Sequence, residues 1–334
     1  MPSLPTDAST LAVELAPTIN ALEEGRMVTL NKIRSAWKKI GIATALALGI
    51  ALIVFITSQG QSDSSNALVI IIPIAAIALI YSMVIYSQSI GGPTASYRSY
   101  YKSQIIGGMT RLIQPDIDYM PSRGLSESNF RSMNLYNGDI DRFHGEDLFT
   151  GKIGKTAITF SEVHAEDKRT RRNSKGKSET YWVTIFKGLA VIVDFNKHFR
   201  SWVTLHPDTA ESSFGWLGRK LQQLGGDLVR LENPDFEQAF VVRGGDQVEA
   251  RYLLTPEMQE RLLNLRQHFG DGIRLAMHNS QLHLTIPNSN NWFEPDIRRP
   301  AGDPSQMQLF IQQMTSIFHI VELLDLNTRI WTKK

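Results

Sequence analysis

The chain has 334 residues, 35 Lys+Arg against 33 Asp+Glu, and no cysteine. The missing thiols exclude disulfide frameworks, zinc ribbons, iron–sulfur clusters and cysteine nucleophiles. A net charge of +2 gives no general pull toward nucleic acid, and charge is spread unevenly: between Ile40 and Tyr97 only Asp63 is charged.

Residues 1–39 read as an amphipathic helical arm. Leu11, Leu15, Ile19, Leu22, Leu30, Ile33 and Trp37 recur at loosely helical spacing, with Pro17 and Gly25 as interruptions. Three placements stay open for it: on the chain's own domain, in a bundle with partner helices, or along a membrane surface.

Residues 40–57 and 67–86 are two apolar runs joined by a polar loop at 58–66. At about 1.5 Å per residue each is long enough, or nearly so, to cross a hydrocarbon core of roughly 30 Å. A transmembrane hairpin is expected, with a pair of buried core helices as the soluble alternative. The segment ahead of the first run contains Glu14, Glu23 and Glu24 and does not read as a cleaved signal peptide. Arg26, Lys32, Arg34, Lys38 and Lys39 precede the first run and Arg98, Lys102 and Arg111 follow the second, whereas the loop has no Lys or Arg. Positive flanks stay in the cytoplasm, so both termini are expected there. Gly41, Ala45 and Gly49, four residues apart, would let another helix approach closely, within the hairpin or from a second copy. Neither run holds an ionisable residue of the kind that ion pathways use.

Residues 87–113 read as a linker in which Gly91-Gly92-Pro93 breaks the helix. From 114 to 334 an α+β domain with mostly antiparallel pairing is expected. Its strands are Thr156 to Val163, Tyr181 to Phe186, Leu189 to Phe195, Trp202 to Leu205, and a hairpin of Ile273 to Met277 with Gln281 to Ile286 that alternates one apolar face with a wetter one. Helices are expected at Phe214 to Leu224, from Thr255-Pro256 to a stop at Gly270, and from Asp303-Pro304 onward. The last carries Phe310, Met314, Ile317, Val321 and Leu324 as a stripe that suits either its own sheet or an interface with a partner.

Chemistry is sparse. GKIGKT at Gly151 to Thr156 lacks the upstream glycine of a phosphate loop, where Phe149 stands. His278 and His283 fall on opposing strands of the hairpin and could meet, but no neighbouring carboxylate completes a metal site. Asp194, Asn196, Lys197 and His198 end a strand, where they could form a polar cluster or cap a turn over Phe195 and Phe199. Glu249 and Arg251 suggest an ion pair, and Glu294-Pro295-Asp296 a turn. Lys168, Arg169, Arg171, Arg172, Lys175 and Lys177 form a basic run that reads either as a solvated loop or as a contact for an anionic leaflet.

The ordered motifs FHGEDLFTGKIGKTAITFSEVHAE, IFKGLAVIVDFNKHF, LENPDFEQAFVV, DQVEARYLLTPEM, WFEPDI and LDLNTRIW resemble the bacterial membrane-protein family catalogued as domain of unknown function 3137. The resemblance implies a protein of the bacterial cytoplasmic (inner) membrane with no catalytic, cofactor or metal residues to carry over, and a LemA-type helical membrane protein as a possible partner. Two functions follow as expectations. One is a membrane-anchored, non-enzymatic scaffold, homo-oligomeric or bound to another membrane protein. The other is a pleckstrin-like module that binds anionic headgroups through the basic run.

Overall fold

The structure, a computed structural model, describes residues 8–58, 65–172, 176–195, 197–208 and 227–326. The chain divides into a helical unit, Ala8–Ile105 with Glu294–Met307, and a sheet unit built mainly from Ile106–Phe293 and the chain after Gln308.

The helical unit begins with α1 (Ala8–Glu14) and α2 (Ala16–Ser58). Pro17 is the second residue of α2, where the amide it lacks would have no partner in any case, so it starts the helix rather than interrupting it. Gly25 is exposed and the helix runs straight through it. The arm and the first apolar run are therefore one helix of 43 residues, about 65 Å long at 1.5 Å per residue. The arm packs on its own unit. Leu11, Leu22 and Ala36 are buried, and so is Arg26, whose Nη1 donates to the Ile297 carbonyl at 3.0 Å while Nε holds Glu23 at 2.8 Å. Glu23 in turn accepts from the Ala301 amide at 2.8 Å. A buried guanidinium is tolerated here because a carboxylate and a carbonyl both meet it.

Helix α3 (Ser65–Tyr86) passes through a π-helical turn at Ser87–Gly91 into α4 (Gly92–Tyr101), then through a second at Lys102–Ile106 into α5 (Gly107–Ile113). The break expected at Gly91–Pro93 is thus a bulge in a continuing helix. The wider π turn falls where Pro93 has no N–H to give, and Pro93 is the second residue of α4, in its first turn. Within the unit the Tyr101 hydroxyl donates to the Ala301 carbonyl at 3.1 Å, and Lys102 pairs with Glu294 at 2.6 Å.

In the sheet unit the strands are β1 (Ile117–Met120), β2 (Arg142–Ile153), β3 (Thr156–Arg172), β4 (Ser178–Asp194), β5 (Val203–Pro207), β6 (Asp227–Leu228), β7 (Phe240–Gly244), β8 (Arg274–His278) and β9 (Gln281–Pro287). Among the described residues they form one antiparallel sheet in the order β1-β2-β3-β4-β9-β8-β5-β7-β6. The α+β reading holds. Short helices α6 (Glu127–Ser132), α7 (Pro234–Ala239) and α8 (Gln247–Leu253) join the longer α9 (Pro256–Phe269) and α10 (Pro304–Leu323). Helix α9 starts and stops as expected: the Thr255 hydroxyl accepts from the Met258 amide at 3.3 Å, and Gly270 takes φ +97°. The helix expected at Phe214 to Leu224 lies outside the described residues.

Two expected strands, Tyr181 to Phe186 and Leu189 to Phe195, are one. At their junction Gly188 has φ +147°, and a Cβ there would sit 2.1 Å from the Ile286 carbonyl oxygen. The glycine that looks like a terminator is what lets β4 pass against β9 without a gap in the ladder.

One sheet face is apolar. Phe160 is fully buried, stacked on Phe149 with centroids 4.4 Å apart and edge-on to Phe318 of α10 at 6.1 Å. Phe310, Met314, Ile317, Val321 and Leu324 are all 0–1% exposed, and the Met314 sulfur takes a contact from the Thr110 hydroxyl at 3.3 Å. The terminal stripe is therefore core, and the partner-interface reading of these five residues is withdrawn. Burying five large side chains in this fold leaves them no surface to offer.

Candidate functional site

Three features gather the chemistry: the apolar helix pair, the second face of the sheet, and the far ends of β3 and β4.

In the helix pair, half-buried positions recur at three-four spacing: Ala43, Ala47, Ala51 and Val54 on α2, and Ile71, Ile74, Ala78, Ser82 and Ile85 on α3. These are the faces on which the helices meet. Gly41, Ala45 and Gly49 lie on another face, exposed, with open space around Gly41 and Gly49. Their expected use within the hairpin is thus corrected; alanines do that work, and the glycine stripe is left facing outward. Thr44 and Thr57 donate their hydroxyls to the carbonyls of Ile40 at 2.9 Å and Ile53 at 3.0 Å, so neither leaves a bare polar group on an apolar helix. Trp37 and Tyr86, both about half exposed, touch edge to face at 6.4 Å, at the end of the pair next to Lys38 and Lys39.

The second sheet face is buried too, and sets polar side chains among apolar ones such as Phe186, Ala190 and Ala276. Ladder register aligns His283 with Ala276 and then Thr204 across β9, β8 and β5, and Thr285 with Arg274 in the next row. The expected wetter face of the hairpin is the right chemistry in the wrong medium: His283 and Thr285 are 2% and 0% exposed. The segment from Leu125 to Phe143 covers this face, with Phe130 of α6 packed on Phe186 at 5.5 Å. Arg274 lies 4.4 Å over the Tyr136 ring and donates to the Leu135 carbonyl at 3.2 Å, while the Tyr136 and Thr285 hydroxyls bond at 3.2 Å.

His278 and His283 do meet, with rings 4.1 Å apart and 16° from parallel. Imidazole lone pairs lie in the ring plane, so two stacked rings do not converge on one ion, and the geometry is that of packing rather than ligation. Neither ring nitrogen of His283 has a hydrogen-bond partner among the described residues. Burial, with His278 beside it, lowers the His283 pKa to about 3, and burial with Arg274 and Arg243 nearby does the same for His206. Both imidazoles are held neutral.

The basic run is not a loop through most of its length. Lys168, Arg169, Arg171 and Arg172 are on β3, paired with Trp182, Tyr181, Glu179 and Ser178 of β4, and Lys177 directly precedes β4. Lys175 lies outside the described residues. Alternating β-competent residues on the opposite strand, SETYWV, hold the charges in a ladder that charge repulsion alone would open. β4 gains β9 as a neighbour only from Gly188 onward, so the far part is a two-stranded ribbon among the described residues. Arg169 pairs with Asp167 at 2.8 Å, Arg171 with Glu179 at 3.3 Å, and the Arg142 guanidinium sits 3.8 Å over the Trp182 ring.

Other sequence candidates disperse. Phe195 and Phe199 pack edge to face at 6.1 Å, as the turn reading of VDFNKHF requires, while Asn196 lies outside the described residues. Lys197 donates to the Tyr252 carbonyl at 3.2 Å. Glu249 accepts from the Arg200 and Ser201 amides, at 3.1 and 2.6 Å, and Arg251 from α8 donates to the Arg230 carbonyl at 3.2 Å, so the expected Glu249–Arg251 pair is replaced by two separate backbone anchors. Asp296 makes the expected turn, accepting from the Arg298 amide at 3.0 Å.

Fold and exposed helices together define an α+β protein that carries two helices long and apolar enough to cross a membrane. Residues 184–326 match the family model described as "Protein of unknown function (DUF3137)", the family that the motif order resembles. None of the curated proteins matches the chain. Among solved structures, the crystal structure of the mycobacterial trehalose monomycolate transport factor A is similar at 10% identity and a TM-score of 0.30, over 62% of this chain and 88% of that one. So loose a likeness carries no argument.

Proposed function

We propose that the protein is a membrane-anchored, non-enzymatic interaction module of the bacterial inner membrane, assembled with further copies or with another helical membrane protein. The observation that carries this reading is the bare apolar surface of α2 and α3. Ile42, Leu52, Val69 and Leu79 are 58–71% exposed, and no residue in the most apolar window of either helix is fully buried. Leaving so much contiguous apolar area in water is costly at about 25 cal/mol per Å², whereas a bilayer removes the cost. Basic residues on both outer flanks support a cytoplasmic location for the two termini by the positive-inside rule. The outward Gly41, Ala45 and Gly49 stripe supports assembly inside the membrane.

The test is to extract the chain from its native membrane into polymer discs, weigh the intact particle and identify every chain in it. Resistance to alkaline carbonate and a mass of several copies, or a stoichiometric second protein, is expected. Carbonate release would overturn the anchor, and a lone monomer would overturn the scaffold. Because the chain has no cysteine, Ser62→Cys labelled by an impermeant maleimide reports orientation: labelling from outside is expected, and labelling only after lysis would invert the topology.

A further inference from the structure

We infer that the β3–β4 ribbon is a lipid-contacting tongue that docks on an anionic bilayer surface. This rests on the membrane-anchored reading above.

The observation is a pairing of chemistries that the sequence keeps apart. Lys168, Arg169, Arg171 and Arg172 run along β3, and on β4 Trp182 stands opposite Lys168 and Tyr181 opposite Arg169, 38% and 41% exposed. Neighbouring residues of a strand point to opposite faces, so each face of the ribbon carries both an aromatic ring and cations: Tyr181 with Arg169 and Arg171, Trp182 with Lys168 and Arg172. Arg142 covers one side of the Trp182 ring and Arg171 lies near Tyr181, yet both rings keep about two-fifths of their surface exposed beside like charges that repel. Rings and cations together match a headgroup layer, where Tyr and Trp sit at the apolar boundary and long basic side chains reach phosphates.

Local acids set the strength. Asp167 and Glu179 each engage one arginine, which leaves the ribbon with a cationic excess rather than neutral. Charge complementarity therefore selects an anionic bilayer as the occupant. The anchor supplies proximity, so that a weak contact suffices.

The test uses the full chain, reconstituted with a single Thr180→Cys carrying an environment-sensitive dye. The vesicles are either pure phosphatidylcholine or three parts phosphatidylcholine to one of phosphatidylglycerol, each with a trace of lipid bearing a headgroup nitroxide. Quenching in the anionic vesicles, reversed by high salt, is expected. The triple change of Arg169, Arg171 and Arg172 to Gln should lower the ratio of docked to free ribbon about a hundred-fold, while the same three to Lys should keep most of it. Equal quenching in both vesicles, or none in either, would overturn the inference, as would loss of docking in the Lys variant, since that points to a shape-specific protein contact. Carbonate extraction of the same samples separates the cases: a chain that stays in the bilayer with an unquenched dye defeats only the tongue, and a chain released by carbonate defeats the anchor.

Discussion

Strand β4 leads two lives. From Leu189 to Val193 every second side chain is fully buried against the apolar core, whereas from Ser178 to Trp182 every side chain is exposed. Both stretches are rich in β-branched and aromatic residues, so composition does not tell them apart. The number of neighbours does: β9 joins at Gly188 and α6 already packs on Phe186, whereas the stretch from Ser178 to Trp182 has β3 alone beside it among the described residues. Strand propensity records fitness for a pleated ladder, not depth in a fold.

Substitutions along these strands should separate the two stretches by size of effect. The largest expected loss is at the core end, where Phe160→Ala removes a ring packed between Phe149 and Phe318 and should cost about 3–5 kcal/mol in chemical denaturation. Next is the junction, where Gly188→Ala forces a side chain against the Ile286 carbonyl and should cost on the order of 3 kcal/mol. A small loss there would mean that β4 and β9 shift apart easily.

The buried histidines of the sheet predict a pH effect of intermediate size. Folded His283 and His206 titrate near 3, well below the ordinary value of 6.5, so the unfolded chain binds protons first. Their neutral forms contribute fully above pH 6.5, and stability falls as pH drops from there toward 3, by up to about 1.4 kcal/mol per pH unit for each histidine. Replacing His283 with Gln should flatten that slope by one histidine's share, read as denaturation midpoints between pH 7 and 5. An unchanged slope would show that the face is wetter than its burial indicates. A smaller loss, about 1 kcal/mol, is expected for Tyr136→Phe, which leaves the buried Thr285 hydroxyl without the partner it has here. At the far end Trp182→Ala should cost only about 0.5 kcal/mol, because the partly exposed ring has the Arg142 stack to lose and little other packing.

Much of this architecture is legible from residues alone. Thr255-Pro256 and Gly270 bracket α9, and the stripe from Phe310 to Leu324 marks α10, because capping and helical periodicity are local. The apolar runs stand out because nothing short of roughly twenty uncharged residues covers a bilayer core. What the residues leave open is each surface's destination. The alternation Leu282, His283, Leu284, Thr285 says that two faces differ, but only the fold brings the Leu125–Phe143 segment over the second one; α6 is too short, and β2 too polar, to announce that cover in advance.

The same division runs through the functional candidates. Sequence by itself determined the apolar pair, the asymmetry of its flanking charges and the density of the basic run, all of which are properties of neighbours along the chain. Tertiary structure decided that the terminal stripe is core, that the glycine stripe of α2 faces away from α3, and that Arg169 stands opposite Tyr181. Those facts depend on pairing between residues far apart in sequence, and a pattern that repeats within one element carries no information about which other element will lie against it.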